Sequence, residues 1–573
     1  MTLSPLLKRA TMKPINSKLP DDPNNLNSAI FRNVLVFSLI TFALIFTWSY
    51  LFPPAHKDSH KHQTTTHQII SPAGQANGSN NLFNQDKEGT PLPFRPLEVK
   101  TDHYRILVDE ATGDLVRLEL LQQKAEKGKE YKEKMLLMHP EIHYQAQSRL
   151  IDQDQHFFLN NIPYKAETTH HTLQNGQDYL QLVLQKNAQG VEIKKILGFK
   201  RDSYLINFRY EITNKNNQPL ALTGLYRLLH DGTPSDKSSF FTKFYTGCAL
   251  YTPSIKFKKI PFTKLDEGKA ELPNPVSTGW LGIIQHYFAS IFLLQPKGQN
   301  SVCGGHNCFY YIDKRTSDGL YEVGFTAPLP FIEPASRSTQ NVFLFSGPQE
   351  YSRLAAAADN LPLIKDYGIF HIFANPLFLV LRWIYHFVGN WGWSILLLVL
   401  LLKTVLFPLN SAAARSMAKM RKMAPKMQEI KDHYHTDKVK QQQAMVELYK
   451  KEKINPIGGC LPMLIQIPIF IGLYWALFNS VELRNAPWIL WIRDLSVPDP
   501  YFILPIFLAV TMWLQTHFNP PAGDPMQQKM MKILPLVFSI MFFFFPAGLV
   551  LYWLVNNLFT MAQQWWINKQ VKV

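Results

Sequence analysis

The sequence predicts a polytopic α-helical membrane protein carrying a large extracytoplasmic all-β domain. Three observations point to that class. Several apolar runs are long enough to cross a hydrocarbon layer of about 30 Å at about 1.5 Å rise per residue. Lysine and arginine gather beside those runs. Between the first run and the others, residues 93–347 alternate apolar and polar side chains with a period of two. The bulk properties agree, since 573 residues exceed one ordinary domain and a mean hydropathy of −0.10 averages wet and apolar parts. A formal net charge of +16 suits nucleic acid, acidic partners or a membrane surface, and its concentration at the ends of apolar runs favours the membrane. Four cysteines are too few for a disulfide scaffold.

In chain order, residues 1–32 form a basic cytoplasmic segment with Lys8, Arg9, Lys13, Lys18 and Arg32 against Asp21 and Asp22. Residues 33–53 are a span that ends in WSYLFPP rather than at a small-residue cleavage site, so it reads as an uncleaved signal anchor. Residues 54–92, rich in His, Ser, Thr, Asn, Gln and Gly, read as a flexible linker. Its His56, His60, His62 and His67 read as solvated side chains before they read as a metal site. In the β domain, LEVKTDHYRILVDE, the turn ATGD and LVRLEL form a hairpin pattern, and 190–197 and 203–213 repeat the alternation. The antiparallel sandwich so predicted shows no paired acid and base, and a non-catalytic role follows. Cys303 and Cys308 are either a small structural disulfide or two thiols, with Cys248 left over.

Residues 348–390 hold a helix of good helix formers and then an aromatic amphipathic helix, 371–391, with Arg382 and His386. This second helix is expected to lie at the outer leaflet. Further spans are expected at 391–410, 458–480, 501–517, 530–545 and 548–567, six in all with the anchor. The last apolar stretch is too long for one crossing, and Pro546-Ala547-Gly548 divides it, returning Lys569 to the cytoplasm with a tail of 570–573. Between the second and third spans lies a hairpin, 411–455, with eleven Lys/Arg against five Asp/Glu. Its Met417, Met420, Met423 and Met427 recur at helical spacing beside Arg421, which suits either an adaptable receiving face or ordinary coiled-coil core.

The run NWG, span with Lys403, MAKMR, LYKKEKINPIGGCLPMLIQIPIF, SVELRNAPWILWIRDLS, DPMQQKMMKILP and FPAGLVLYW resembles the YidC/Oxa/Alb family of membrane protein insertases, Gram-negative subtype. The likeness is dense over roughly the last 210 residues. It implies a five-helix insertase core and a periplasmic β-supersandwich of galactose-mutarotase type, in the inner membrane with both termini cytoplasmic. It also implies no cofactor, no metal and no enzymatic activity. The partners it implies are nascent inner-membrane proteins, the Sec translocon, the ribosome through the basic loops, and anionic lipids, with no small-molecule substrate. Only about six residues follow the last span, so ribosome docking is expected to rest on the hairpins.

Lys403 carries the chemistry. A lysine at a helix centre costs about 2.5–3.5 kcal/mol on insertion scales. Two readings stay open from the residues: it snorkels to the inner headgroups, or it faces water in a groove. Polar residues in several spans (Gln466, Thr511, Gln515, Asn556, Asn557, Thr560 and Gln563) suit a shared hydrated cavity, and also suit helix-to-helix glue. The resemblance implies a hydrophilic groove with a positively charged residue, usually an arginine, where Lys403 stands; the candidates to line it are Lys403, Gln466, Thr511, Gln515, Tyr552, Trp553, Asn556 and Thr560. It further implies a greasy slide for the substrate, for which Ile467, Pro468, Phe470 and Leu534 to Phe538 are the candidates. An ion-coupled secondary transporter is the alternative, but no inverted repeats are visible. Nor is there a phosphate loop of the G-x-x-x-x-G-K type.

Overall fold

The computed structural model describes residues 92–124, 134–154, 156–168, 170–234, 245–267, 272–365, 367, 370–452, 461–516, 533 and 539–571. The expected signal anchor and linker lie outside the described residues, as do the slide candidates Leu534 and Phe538.

The β domain is built from β1 (Pro96–Lys100), β2 (Tyr104–Asp109), β3 (Asp114–Lys124), β4 (Lys134–Met138), β5 (Gln145–Ile151) and β6 (Lys165–Ala166). It continues with β7 (Tyr179–Ala188), β8 (Val191–Lys200), β9 (Leu205–Asn214), β10 (Thr223–His230), β11 (Thr246–Thr252) and β12 (Lys256–Pro261). It closes with β13 (Trp280–Gln285), β14 (Phe288–Leu293), β15 (Phe309–Lys314), β16 (Tyr321–Pro328) and β17 (Arg337–Pro348). One antiparallel sheet has the order β1-β2-β3-β5-β10-β16-β15 with β4 on β3; the other runs β12-β11-β13-β14-β17-β9-β8-β7-β6. The stretch expected to be one arm of a hairpin splits into β1 and β2. Thr101 makes the turn, its hydroxyl accepting from the backbone N–H of His103 and Tyr104, so the segment is a three-stranded meander.

Alternation sets the core. In β9, Ile206, Phe208, Tyr210 and Ile212 point inward and are almost fully buried, while their neighbours do not. The layers meet in an aromatic cluster: Phe292 of one sheet lies 6.1 Å from Tyr226 and 6.0 Å from Phe325 of the other. Cys303 and Cys308 are disulfide-bonded, and Cys248 is a buried free thiol in the sandwich core.

The interior also holds charge. The Lys195 ammonium donates to the carbonyls of Thr112 (2.9 Å) and Ser148 (3.2 Å), and that of Lys186 donates to Leu159 (2.9 Å) over the Tyr164 ring. Burial pushes both ammoniums down to about 7. The unfolded chain therefore binds more protons than the folded one between about pH 7 and pH 10.4, and stability rises with pH over that interval. The unfolding midpoint of the protein should climb between pH 7 and pH 9, with a shallower climb in Lys195→Met. A flat profile would mean that the two amines remain charged at no cost.

The helices are α1 (Phe262–Asp266), α2 (Tyr351–Ala357), α3 (His371–Val388), α4 (Trp391–Val405), α5 (Phe407–Lys422), α6 (Ala424–His433), α7 (Lys438–Lys451), α8 (Leu461–Phe478), α9 (Ile503–Thr516) and α10 (Ala547–Val571). α2 seals the sandwich edge with buried Leu354 and Ala357. α3 has three faces. Ala374, Phe378, Leu381 and Ile384 are buried, Ile372, Phe373, Trp383 and Phe387 are exposed and apolar, and Arg382 stacks 4.6 Å over Tyr351 of α2. Gly389, at φ +68°, caps α3 in the left-handed conformation that a side chain disfavours. Asn390 then caps α4, its side chain accepting from the Trp393 N–H.

The span expected at 391–410 does not run straight. α4 stops at Val405, and the chain bends by 66° into α5, so the helix of the hairpin starts at Phe407 rather than at 411. Pro408 is the cause, because it has no N–H for the Thr404 carbonyl and its ring crowds that turn. Among the described residues no single helix is long and apolar enough to cross a membrane; α4 and α5 pass that test only as a bent pair.

The β domain is pinned to the helical core through the loop after α8. Glu482 accepts two hydrogen bonds from Lys365, at 2.7 and 2.9 Å, and a third from the Tyr351 N–H. Arg484 lies over the rings of Tyr287 and Phe288, and Val481 joins the sandwich core.

Candidate functional site

α10 is the axis of the core and packs against α4, α5, α8 and α9. Its first half is apolar. Leu549, Val550 and Leu551 meet Ile395, Leu398 and Val399 of α4, Leu473 and Leu477 of α8, and Leu504 and Leu508 of α9. Loop 481–502 closes this end with Leu483, Ile492 and Leu495 and is stitched to α10, where the N–H groups of Ala547 and Gly548 donate to the carbonyls of Val497 (2.7 Å) and Leu495 (2.9 Å).

From Tyr552 onward one face carries polar side chains. Tyr552, Asn556, Thr560 and Gln563 recur every three or four residues and so share one helix face. The Tyr552 hydroxyl accepts from Gln466 of α8 at 2.6 Å. Thr560 accepts from the Lys403 ammonium at 2.8 Å and donates to the Asn556 carbonyl. Gln563 donates to Ser411 of α5 at 3.0 Å. On an adjacent face, Asn557 donates to Thr511 of α9 at 3.0 Å. Four helices, α4, α5, α8 and α9, are thus tied to α10 by its polar side chains.

Lys403 is half-buried one turn before the bend, and among the described residues no carboxylate lies within ion-pair distance of it. Gln515 and Asn556 are half-buried, and Trp553 packs edge-on against Phe470 at 4.3 Å. Ile467 is exposed. Phe470, expected beside it facing lipid, instead turns its ring to Trp553 and Tyr552. The reason is helical phase: Phe470 lies four residues after Gln466 and shares its inward face, whereas Ile467 is about 100° away. In the hairpin, Met420, Met423 and Met427 are half-buried, and no residue of α6 is buried. Met417 and Arg421 have side chains outside the described set. Contacts between the arms of the hairpin include Lys426 to Glu452 at 3.1 Å and Gln441 to the Lys431 carbonyl.

Ser411 and the Lys365–Glu482 pair were not anticipated. Ser411 sits among alanines in a segment assigned to the hairpin, and Glu482 counts as one acid in a near-neutral loop until its partner 117 residues away is known. Among the described residues one cluster has metal-ligand geometry, Asp152, Asp154 and His156 on the β-domain surface, far in sequence from the polar half of α10.

Two family models divide the described chain between them. The model described as YidC periplasmic domain matches residues 96–380, and that described as 60Kd inner membrane protein matches residues 383–573. The molecule is therefore an inner-membrane protein with a periplasmic β domain. It is similar to the membrane protein insertase YidC of Neisseria gonorrhoeae (strain NCCP11945), at 50% identity over 84% of this chain and 89% of that one. The insertase YidC of Neisseria meningitidis serogroup C (strain 053442) is 45% identical over 95% and 98%, and that of Laribacter hongkongensis (strain HLHK9) 43% over 94% and 98%. The chain belongs to the YidC family of membrane protein insertases. Among solved structures, one described as an active YidC insertase with its first transmembrane domain resolved is similar at 18% identity, covering 82% of this chain and 93% of that one with a TM-score of 0.38.

Proposed function

We propose that this chain integrates inner-membrane proteins without bond chemistry, by means of a cationic, polar half-channel open to the cytoplasm and to lipid. The observation that carries this reading is the division of α10: an apolar half sealed by loop 481–502, then a half with one polar face and Lys403 as its charge. A substrate with a short hydrophilic amino-terminal tail faces a barrier about 30 Å thick. Polar groups reaching halfway shorten that barrier, and the ammonium attracts acidic residues of the tail. The membrane potential adds about 2.3 kcal/mol per negative charge per 100 mV. The substrate's apolar segment leaves along the lipid-facing side, where Ile467 of α8 and Ile506, Phe507 and Val510 of α9 are exposed. Burial of that segment in lipid drives the process.

In this reading the chain has six spans, with both termini in the cytoplasm. The basic hairpin receives substrates and touches ribosomal RNA or anionic headgroups, and the Sec translocon shares part of the work. α3 lies in the outer interface, its exposed aromatic face toward acyl chains.

The test is reconstitution. The full chain in liposomes with an imposed potential should insert a single-span substrate with a short acidic tail in the absence of any nucleotide, read as a protease-protected fragment. Insertion equal to that of empty liposomes, or insertion that needs ATP, would overturn the reading.

A further inference from the structure

We propose that the flank of the β domain formed by β12 and α1 rests on the outer leaflet of the bilayer and binds anionic phospholipid headgroups through Lys259 and Lys264. The proposal takes α8 as a membrane span and does not depend on Lys403 or the polar face of α10.

Strand register places this flank. The β13–β14 turn touches the helical core: the His286 ring lies 5.4 Å from that of Phe478, the last residue of α8, and Arg484 lies over Tyr287 and Phe288. That end of the second sheet is therefore the end nearest the bilayer. Antiparallel pairing carries the same level sideways, with Gln285 beside Thr246 of β11 and Gly247 beside Pro261 of β12. β12 is the sheet's edge, three strands from β14, and so about 14 Å from the joint at about 4.8 Å per strand.

The chain then turns into α1, which closes this end of the sandwich. Phe262 stacks 4.4 Å from Tyr321 of the first sheet, and Tyr321 pairs with His230, whose ring contacts Gln285 at 3.2 Å. Leu265 is buried beside it, whereas Thr263 and Lys264 on the opposite side are exposed. Lys264 is thus carried on the cap itself. Lys259 stands two residues before Pro261, about 7 Å up the strand, which a lysine side chain and a headgroup layer of about 5–8 Å together span.

Charge selects the occupant. Residues 245–265 include four lysines and no acid. The first acid that follows, Asp266, is already held by Lys314 at 2.7 Å and by the Tyr321 hydroxyl. Lys259 lies 5.1 Å over the half-buried ring of Tyr245, and a lysine beside a tyrosine is the pairing found where chains meet headgroups. Lysines on a sheet edge also discourage strand pairing, but that task is independent of level, whereas Lys264 lies beyond the strand on the face turned to the bilayer. The joint at Glu482 alone would let the domain rock; a second hold to one side fixes its tilt.

The experiment uses the full-length protein in lipid nanodiscs with a nitroxide on Thr263→Cys. Cys248 is buried, Cys303 and Cys308 are paired, and Cys460→Ser removes the remaining thiol. In discs containing phosphatidylglycerol the label should be shielded from a water-soluble nickel chelate; in pure phosphatidylcholine, or at about 1 M salt where the screening length is about 3 Å, it should be exposed. Each lysine at an anionic surface contributes about fivefold, so Lys259→Gln with Lys264→Gln should lower the ratio of shielded to exposed label roughly 25-fold. Equal shielding in the two lipids, or an unchanged ratio in the double variant, would overturn the proposal. A second label on Leu490→Cys, at the exposed tip of loop 481–502, separates the two readings. Shielding of that label in both lipids while the Thr263→Cys label stays in water would sink this proposal alone, and exposure of both labels would sink the placement of α8 with it.

Discussion

Lys403→Ala should reduce insertion of an acidic-tailed single-span substrate at least tenfold in cells depleted of the native protein, while Lys403→Arg restores most of it. A charge 4 Å away is worth about 4 kcal/mol at an effective dielectric of 20, so a transient encounter with one carboxylate readily exceeds the 1.4 kcal/mol that a factor of ten requires. Arginine keeps the charge, and its planar fork adds donors. The alanine protein itself should be no less stable. It sheds a cation that is expensive to hold beside lipid, and Thr560 still donates to the Asn556 carbonyl. Loss of function without loss of stability is the signature of a group kept for its task. Full insertion with alanine would leave Lys403 as a side chain that merely seeks the inner headgroups.

Glu482→Ala should loosen the joint between the β domain and the core by about 3–5 kcal/mol, the usual cost of leaving one member of a buried ion pair alone. The Lys365 side chain is 2% exposed and donates to both oxygens of Glu482. Burial, opposed in part by Glu482, already holds its ammonium below the ordinary lysine range. Without the carboxylate the amine loses its proton more easily, so the damage should be smaller at pH 9 than at pH 7. Glu350, whose carboxyl is held above its ordinary range first by burial and then by the charge of Glu482, is placed to take over part of the role. Hydrogen exchange over residues 351–365 and 481–486 would read the loosening. Recovery of protection in Lys365→Met with Glu482→Leu would assign the loss to the stranded charge, and equal exchange in Glu482→Ala and the parent would contradict it.

Much of the β domain was legible because its signal is local. Alternation along residues 205–214 marks the buried face one residue at a time, and Gly389-Asn390 announces both the end of α3 and the start of α4. The polar residues of α10 were equally visible, since a tyrosine, asparagines, a threonine and a glutamine stand out in an apolar run. What they touch was not visible. Helical phase alone separates Phe470, which packs inward, from Ile467, which does not, and phase needs a partner helix as its reference. Pro408 was in plain view, yet hydropathy continues across it, so the apolar run outlasted the helix it was taken to describe. The joint at Glu482 was illegible for a different reason. A pair of opposite charges 117 residues apart leaves no trace in composition or periodicity.

The last strand of the sandwich bears on how the molecule carries mechanical load. β17 is twelve residues long and lies inside its sheet, laddered to β14 on one side and β9 on the other, and the chain passes from it almost at once into α2 and the core. Tension arriving from the membrane side would therefore pull along two hydrogen-bonded seams simultaneously, in shear, instead of unzipping one edge bond by bond. The domain thus meets the rest of the molecule at a strand that is hydrogen-bonded along both edges.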